Sequence, residues 1–560
     1  MQTRSVAADL RLRERNSGAL QPAWQTPSVK PKELTPAWHA IIHRGREVND
    51  NRIRDVVILG GGTAGWMTAA ALARVMARSR TTDAPRIHLV ESEAIGTVGV
   101  GESTIPTLRN FNLLLDVNEA DFMRQTQATF KLGIEFRDWG RIGDSYIHSF
   151  ATYGRPLGGV PFHHHWLRLR ALGDDTPIDS YSLPITAAHL GRFSRPPDPA
   201  ASSVFPYAFQ FDASLYAVYL RRYAEARGVI RTEGKVIDVD LNSADGFINS
   251  LTLENGARID GDLFIDCSGF RSLLMERALN IGYDDWTQWL PCDRSVVATC
   301  ERAGSAEPFT RAIASEAGWR WRIPLQHRVG NGYVYCGEYL SNAEATDVLL
   351  NRLEGAPLAE PRILRFTTGR RRKHWYKNCV AVGLSAGFLE PLESTSIGLI
   401  ILAIFNLIQL FPDCSCDLAE AVEFNRLMDL EFERVRDFLV LHYFLTSRDD
   451  TPFWNHCRTM AIPDTLRHKL ELFGERGLIT VNADAFFGEP SWLSVCIGQN
   501  VVPRRYDPLS DTLDADEVRR QLFALRRDVR KTAEAMPLQD AFLKEYCAAE
   551  PPAGTGPRVQ

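Results

Sequence analysis

Of the 560 residues, 45% are hydrophobic and 24% charged, the composition of a globular protein with room for two or three structural regions. A net charge of −5 gives no reason to expect a nucleic-acid partner, and the basic run Arg370-Arg-Arg-Lys373 is read as a solvated or phosphate-facing patch. Ten cysteines without a CxxC pair exclude a zinc ribbon and fit reduced thiols in the cytoplasm, while the longest apolar run, near 396–411, contains Asn406 and Gln409 and is too short to cross a membrane.

Residues 1–51 are polar, proline-bearing and arginine-rich with no apolar h-region, which predicts a flexible extension rather than a secretory signal. Asp55-Val-Val-Ile-Leu59 predicts a short strand, Gly60-Gly-Gly-Thr-Ala-Gly65 a tight turn, Trp66 to Arg74 a helix, and Arg86-Ile-His-Leu-Val-Glu91 a second strand ending in an acid. That succession is the βαβ dinucleotide fingerprint in its proper context. In it Gly60 makes the turn, Gly62 lets backbone approach a pyrophosphate, Gly65 lets helix pack on strand, and Glu91 reaches a ribose hydroxyl.

Thr129 to Phe136 alternates strictly and predicts one strand, with Phe130, Leu132, Ile134 and Phe136 on one face and Lys131, Gly133 and Glu135 on the other. The pattern alone leaves Lys131 open between a surface lysine and a functional one. Tyr146, His148 and Phe150 share one face of an extended segment, either an aromatic slot or an ordinary half-buried strand. His163-His-His165, read as extended chain, would point to alternate faces and so argues against a metal site. Asp262 to Gly269 and Asn378 to Ser385 are further short strands ending in turns, so the sheet is expected to assemble from separated pieces of sequence. Trp319-Arg-Trp-Arg-Ile-Pro324 puts Trp319, Trp321 and Ile323 on one face, a bulky wall or simply a core-facing strand.

Glu390-Pro-Leu-Glu-Ser-Thr-Ser-Ile-Gly398 sets two carboxylates and three hydroxyls before an apolar run that reads as a buried helix. The loop would aim free N–H groups at a small anion beside Glu393; an ordinary N-cap is the alternative. Beyond it, Leu418 to Leu441 and Asp516 to Lys531 read as helices. The expected architecture is α/β: a discontinuous, Rossmann-like cofactor domain over 52–412, with a mixed sheet and interleaved substrate-region strands. A mostly helical substrate region over 413–550 and a disordered tail, 551–560, follow.

Together these segments resemble the flavin-dependent tryptophan halogenase family, from about Val56 to about Pro508. The resemblance rests on Gly60-Gly-Gly-Thr-Ala-Gly-Trp-Met67, Thr97-Val-Gly-Val-Gly-Glu-Ser-Thr-Ile-Pro106, Lys131, Trp319-x-Trp-x-Ile-Pro324 and Glu390-Pro-Leu-Glu-Ser-Thr395. It implies that the domain over 52–412 is an FAD-binding one of the GR2-type flavoprotein monooxygenase kind, with reduced FAD supplied by a separate NAD(P)H flavin reductase and hypohalous acid made from oxygen and chloride or bromide. Thr395 and Ser396 would hold the halide, and Lys131 and Glu393 would be the catalytic pair. Gly62, Thr63, Ala64, Gly65, Glu91, Ser103, Val236, Leu384 and Ile397 would contact the flavin dinucleotide. His148 and Phe150 would sandwich an aromatic substrate, with Trp319, Trp321 and Pro324 walling it from the flavin. A homodimer is expected by analogy, with neither metal nor membrane.

The sequence departs from the family at two places. Ser396 stands where many members have glycine. Between Phe473 and Trp492 the chain carries the short Asp484-Ala-Phe-Phe-Gly-Glu-Pro-Ser491 in place of a longer lid rich in tyrosine and glutamate. The second departure argues against free tryptophan and for a bare indole, another electron-rich aromatic or a carrier-borne one. The competing readings are a flavin-dependent aromatic hydroxylase and a non-catalytic FAD-binding protein.

Overall fold

The computed structural model describes residues 51–77, 84–94, 101–196, 205–416 and 418–549. The expected N-terminal extension and tail, and residues 97–100 ahead of Ser103, lie outside the described residues. The chain is α/β. A six-stranded sheet runs in the order Trp375–Tyr376, Cys379–Ala381, Leu263–Asp266, Asp55–Leu59, Arg86–Glu91, Ile230–Glu233. All its neighbours are parallel except the first pair. The central strand is Val-Val-Ile-Leu and almost wholly buried, as a parallel strand covered on both faces must be. One of its partners, Leu263–Asp266, comes from some 200 positions further on and itself pairs with Cys379–Ala381, so the sheet is indeed assembled from separated segments.

A seven-stranded, mostly antiparallel sheet lies in the order Arg362–Arg365, Arg294–Cys300, Val329–Tyr335, Gly318–Pro324, Thr310–Ser315, Gly133–Arg137, Ser145–Ser149. A third sheet pairs Gly101–Ser103 and Thr129–Lys131 with Ala208–Asp212 between them. The single strand expected over Thr129–Phe136 is therefore two. Thr129–Lys131 belongs to the three-stranded sheet and Gly133–Arg137 to the seven-stranded one. Between them the Leu132 N–H leaves both ladders and donates to Pro308 O at 2.7 Å. Alternation survives because every side chain from Thr129 to Phe136 is buried, so no solvent face marks the break.

The helix Ser396–Gln409 is apolar nearly all round and buries Ile397, Leu399, Ile400, Ile401, Ile404 and Leu407. It packs against Thr63–Met76, Thr107–Leu114 and the long helix Leu418–Phe444. His163, His164 and His165 are not extended: they sit in the helix Phe162–Ala171, all three buried. Pro161 before it and the run of large side chains after it favour the helix. The helices Asp464–Arg476, Glu489–Gly498 and Ala515–Ala535 make up most of the remainder of the C-terminal third. Among the described residues no helix is long and apolar enough to cross a membrane.

Candidate functional site

The first strand delivers the chain into Gly60 at φ +116°, where a Cβ would lie 2.2 Å from Cys267 O; a Cβ on Gly65 would lie 1.8 Å from Gly60 O. The protein itself therefore demands both glycines. Gly62 differs. It has φ −76° and ψ −173°, open to any residue, and nothing among the described residues lies within 4 Å of its Cβ position. Its glycine makes sense only for a ligand that lies against the backbone. The helix Thr63–Met76 starts there with no side-chain cap and no acid in its first turn, leaving the N–H groups of Thr63, Ala64 and Gly65 and the positive helix end for an anion.

Glu91 stands at the same edge: its Oε2 occupies the space a Cβ on Gly61 would need, while Oε1 accepts from Arg231 Nε at 2.6 Å. Val236 follows Gly234, whose N–H donates to Glu91 O at 2.8 Å. Leu384 follows Gly383, whose Cβ position is 2.7 Å from Ala64 Cβ. These residues form one rim that fits a flavin dinucleotide. Ser103 does not face that rim: its hydroxyl pairs with Thr310 Oγ1 at 2.7 Å in a buried chain running on through Gln210 to Thr129.

The second half of the site gathers on the loop before the apolar helix. Lys131 is fully buried, and its Nζ donates to Thr104 O and to Ser394 Oγ, both at 2.9 Å, with the Phe150 ring centroid 5.3 Å away. Burial pushes its ammonium down to about 7, against the opposing pull of Glu393. Glu393 is also buried. His148 Nδ1 donates to it, at 2.8 and 2.9 Å from its two oxygens. His442 Nε2 stands 2.9 Å from Oε1, in contact though not aligned as a hydrogen bond. Burial alone would raise the Glu393 carboxyl; the imidazoles of His148 and His442 outweigh it and bring the group to about 2. A neutralisable amine and a firmly ionised carboxylate thus adjoin Ser394 in a site without bulk water.

Ser394 itself is left-handed (φ 60°, ψ 33°). The next residues, Thr395 and Ser396, open the helix. Thr395 Oγ1 is buried and has no hydrogen-bond partner among the described residues, and Thr395 makes no side-chain cap. Two features of a small-anion site therefore coincide: an uncapped helix N-terminus and an orphaned buried hydroxyl. Ser396 has no positive φ, so glycine's conformational range is not needed there. Ile397 is buried in the helix's first turn.

The Trp-x-Trp strand forms the floor. Trp319 lies across from Ala314 and Val334, and Trp321 across from Ala312 and Gly332, small partners that leave room for indoles. Trp319 Nε1 donates to Glu390 Oε2 at 2.9 Å, as does the Tyr443 hydroxyl at 2.6 Å. Glu390 Oε1 has no partner, and burial pushes this carboxyl up to about 7 against those two bonds. Pro324 ends the strand, and its carbonyl accepts from Thr129 Oγ1 at 2.7 Å, tying the tryptophan strand to the lysine strand. Tyr146 turns away from the slot and stacks on Phe136 at 5.1 Å.

Sequence reasoning missed His442, Thr104 and Phe487. His442 carried a signal, a lone imidazole within Phe438-Leu-Val-Leu-His-Tyr-Phe444. Thr104 contributes only its carbonyl, which no side-chain pattern reveals. Phe487 stacks on Phe438 with centroids 4.0 Å apart and lies 6.1 Å from the His148 ring. Phe486 reaches 3.2 Å from the Cβ position of Gly398. The short segment between Gly477 and Glu489 thus roofs the carboxylate site with two phenyl rings. His163 clasps its two ends: Nε2 donates to Gly477 O at 2.8 Å, and Nδ1 is 3.2 Å from Glu489 Oε1.

Comparison with known proteins points one way. The tryptophan halogenase family profile matches residues 55–515. Tryptophan 6-halogenase SttH of Streptomyces toxytricini is 35% identical over 528 residues, spanning 88% of this chain and 98% of its own. Xcc4156, a flavin-dependent halogenase from Xanthomonas campestris, shares 46% identity at a TM-score of 0.86, over 90% of this chain and all 100% of its own. BrvH, a flavin-dependent halogenase from Brevundimonas sp. BAL3, shares 46% identity at a TM-score of 0.85, over 89% and 100%.

Proposed function

The chain belongs to the tryptophan halogenase family, and from that premise we propose that its Lys131 and Glu393 direct a flavin-derived hypohalous acid onto an electron-rich aromatic, with indole rather than free tryptophan as the type substrate. The protein is a flavin-dependent halogenase that works with FADH2 from a separate flavin reductase and with chloride or bromide. When bound, reduced FAD supplies the activated oxygen that turns halide into hypohalous acid. Gly62 to Gly65, Glu91, Val236, Leu384 and Ile397 hold it; the open Gly62 and the uncapped helix start support that reading. Thr395 and Ser396 hold the halide, a role that the orphaned Thr395 hydroxyl favours.

Lys131 Nζ donates a hydrogen bond to the oxygen of the hypohalous acid. The carbon–halogen bond forms as the oxygen–halogen bond breaks, and the departing hydroxide leaves as water with a proton from Nζ. Glu393, held ionised by His148 and His442, stabilises the positive ring and takes its proton. Passing that proton back to Nζ returns both groups to their starting states. His148 and Phe150 flank the ring, while Trp319, Trp321 and Pro324 keep it from the flavin.

The observation that carries the reading is a fully buried amine hydrogen-bonded to Ser394, between the ionised Glu393 and the unpartnered Thr395. Incubation with FAD, reductase, NADH, bromide and a panel of indoles and phenols should give products with the bromine isotope pattern. Products gaining oxygen instead would make the enzyme a hydroxylase. Lys131→Ala should abolish halogenation while keeping FAD affinity. Ten cysteines without a CxxC pair support a reducing, cytoplasmic setting. Sedimentation at micromolar concentration tests the expected homodimer.

A further inference from the structure

A cavity of about 90 Å³ lies behind the aromatic roof, lined by Arg434, Lys469, Thr480, Asn482, Phe487 and Trp492. Phe487 and Trp492 are shared walls. Phe487 lies 6.1 Å from His148, Trp492 packs on Phe438 at 5.3 Å, and Phe438 lies 5.6 Å from His148. A single aromatic layer therefore separates this cavity from the Glu393 carboxylate.

The two cations in its wall are not equivalent. Arg434 is committed to Glu431 at 3.1 Å and to Asp484 at 3.3 Å. Lys469, on the helix Asp464–Arg476, has no carboxylate within ion-pair distance among the described residues; it lies over the Trp492 ring at 4.6 Å. Burial pushes its ammonium down, against the pull of Asp437. The carboxylates nearest the cavity are spoken for: Glu431 also accepts from the Phe486 N–H at 2.9 Å, and Asp484 pairs with Arg434. An ammonium entering here would meet two cations and no free acid, whereas a carboxylate would meet Lys469, Thr480 and Asn482.

We propose that this cavity is a carboxylate subsite, so that the native substrate is an electron-rich aromatic bearing a short acidic side chain and no amino group. The ring lies at Lys131 and Glu393, and the arm passes the edge of Phe487 to reach Lys469. The volume accommodates a carboxylate with a few waters and no bulky head group. This assignment rests on the halogenase reading and narrows it to one chemical class.

Three indoles of similar size test it: indole-3-propanoate, the neutral 3-ethylindole and cationic tryptamine. Wild-type enzyme should brominate the acid with the highest kcat/KM and the amine with the lowest. In Lys469→Met the acid-to-neutral ratio of kcat/KM should fall about threefold to fivefold, the modest loss expected of one half-exposed charge contact, and Lys469→Arg should restore it. Calorimetric titration of indole-3-propanoate, which needs no turnover, should show the same weakening. An unchanged ratio and unchanged affinity in Lys469→Met would overturn the subsite while leaving the halogenase intact. Weakened binding with no bromination of any indole would sink the halogenase reading and leave the subsite standing.

Discussion

Ser394 holds a left-handed backbone that costs an L-residue about 1 kcal/mol, and its hydroxyl accepts from Lys131 Nζ. Ser394→Gly relieves the strain and loses the acceptor, while Ser394→Ala keeps the strain and loses it too. Urea unfolding should therefore find the glycine variant more stable than the alanine variant by about 1 kcal/mol, with both halogenating less product per flavin oxidised. Lys131 has a pH signature. Burial holds it at about 7 against an ordinary 10.5. Between those values the unfolded chain binds more protons than the folded one, so this group makes stability climb with pH across that window. Lys131→Met removes the climb: the variant should be more stable than wild type at pH 7, and the gap should close towards pH 10.5. As candidates, Glu393 and Thr395 were legible because motif and chemistry share a few consecutive letters, and Lys131 only through the resemblance, since alternation alone leaves it open. His442 and Thr104 were not, since each meets the cluster only through tertiary folding and one of them through its backbone alone.

Helices and turns declared themselves in the sequence more readily than strand identity. The glycine turn, the apolar helix after Thr395 and the long helix at 418–444 follow from local rules. The break at Leu132 does not, because alternation reports burial and both sheets bury both faces there. The histidine helix at 162–171 was equally hidden, since its polar letters are buried by partners far along the chain. Among these, His163 matters for the roof. It bonds both ends of the segment 477–489, and its bond to Glu489 lowers that carboxyl. His163→Ala should leave the roof more open, so limited proteolysis should cut faster between residues 478 and 488. Because the Glu489 carboxyl is depressed from 4.5 in the fold, the clasp contributes fully above pH 4.5 and weakens as pH falls below it. Wild-type cleavage should accordingly approach the variant's rate in acid.

At the scale of the whole molecule, two sheets meet at the site and are stitched together at Asp212. Its Oδ1 caps the helix Ala213–Glu225 by accepting from Ser214 and Leu215, and its Oδ2 accepts from Arg328 Nη2 at 2.6 Å. Asp212 ends the middle strand of the lysine sheet, and Arg328 precedes a strand of the seven-stranded one. Both side chains are nearly buried, so Asp212→Ala strands a guanidinium and should cost roughly 3–5 kcal/mol, read as a lower urea midpoint with an unchanged slope. Asp212→Asn retains the cap and should lose less. Domain-scale organisation was legible as a discontinuous sheet, but the seam between sheets was not, because nothing local distinguishes residue 131 from residue 133. That seam has a consequence for redesign. The amine rides on one slab and the histidine that contacts Glu393 on another, with Leu132 alone between the two strands and the Thr129–Pro324 and Asp212–Arg328 bonds tying the slabs together. Steering the halogen to a different ring carbon is then a question of how the slabs slide, and changes selected for new regiochemistry should accumulate along their shared edge, remote from the reacting atoms. Grafting residues 129–137 alone into another scaffold would carry the letters across without the alignment.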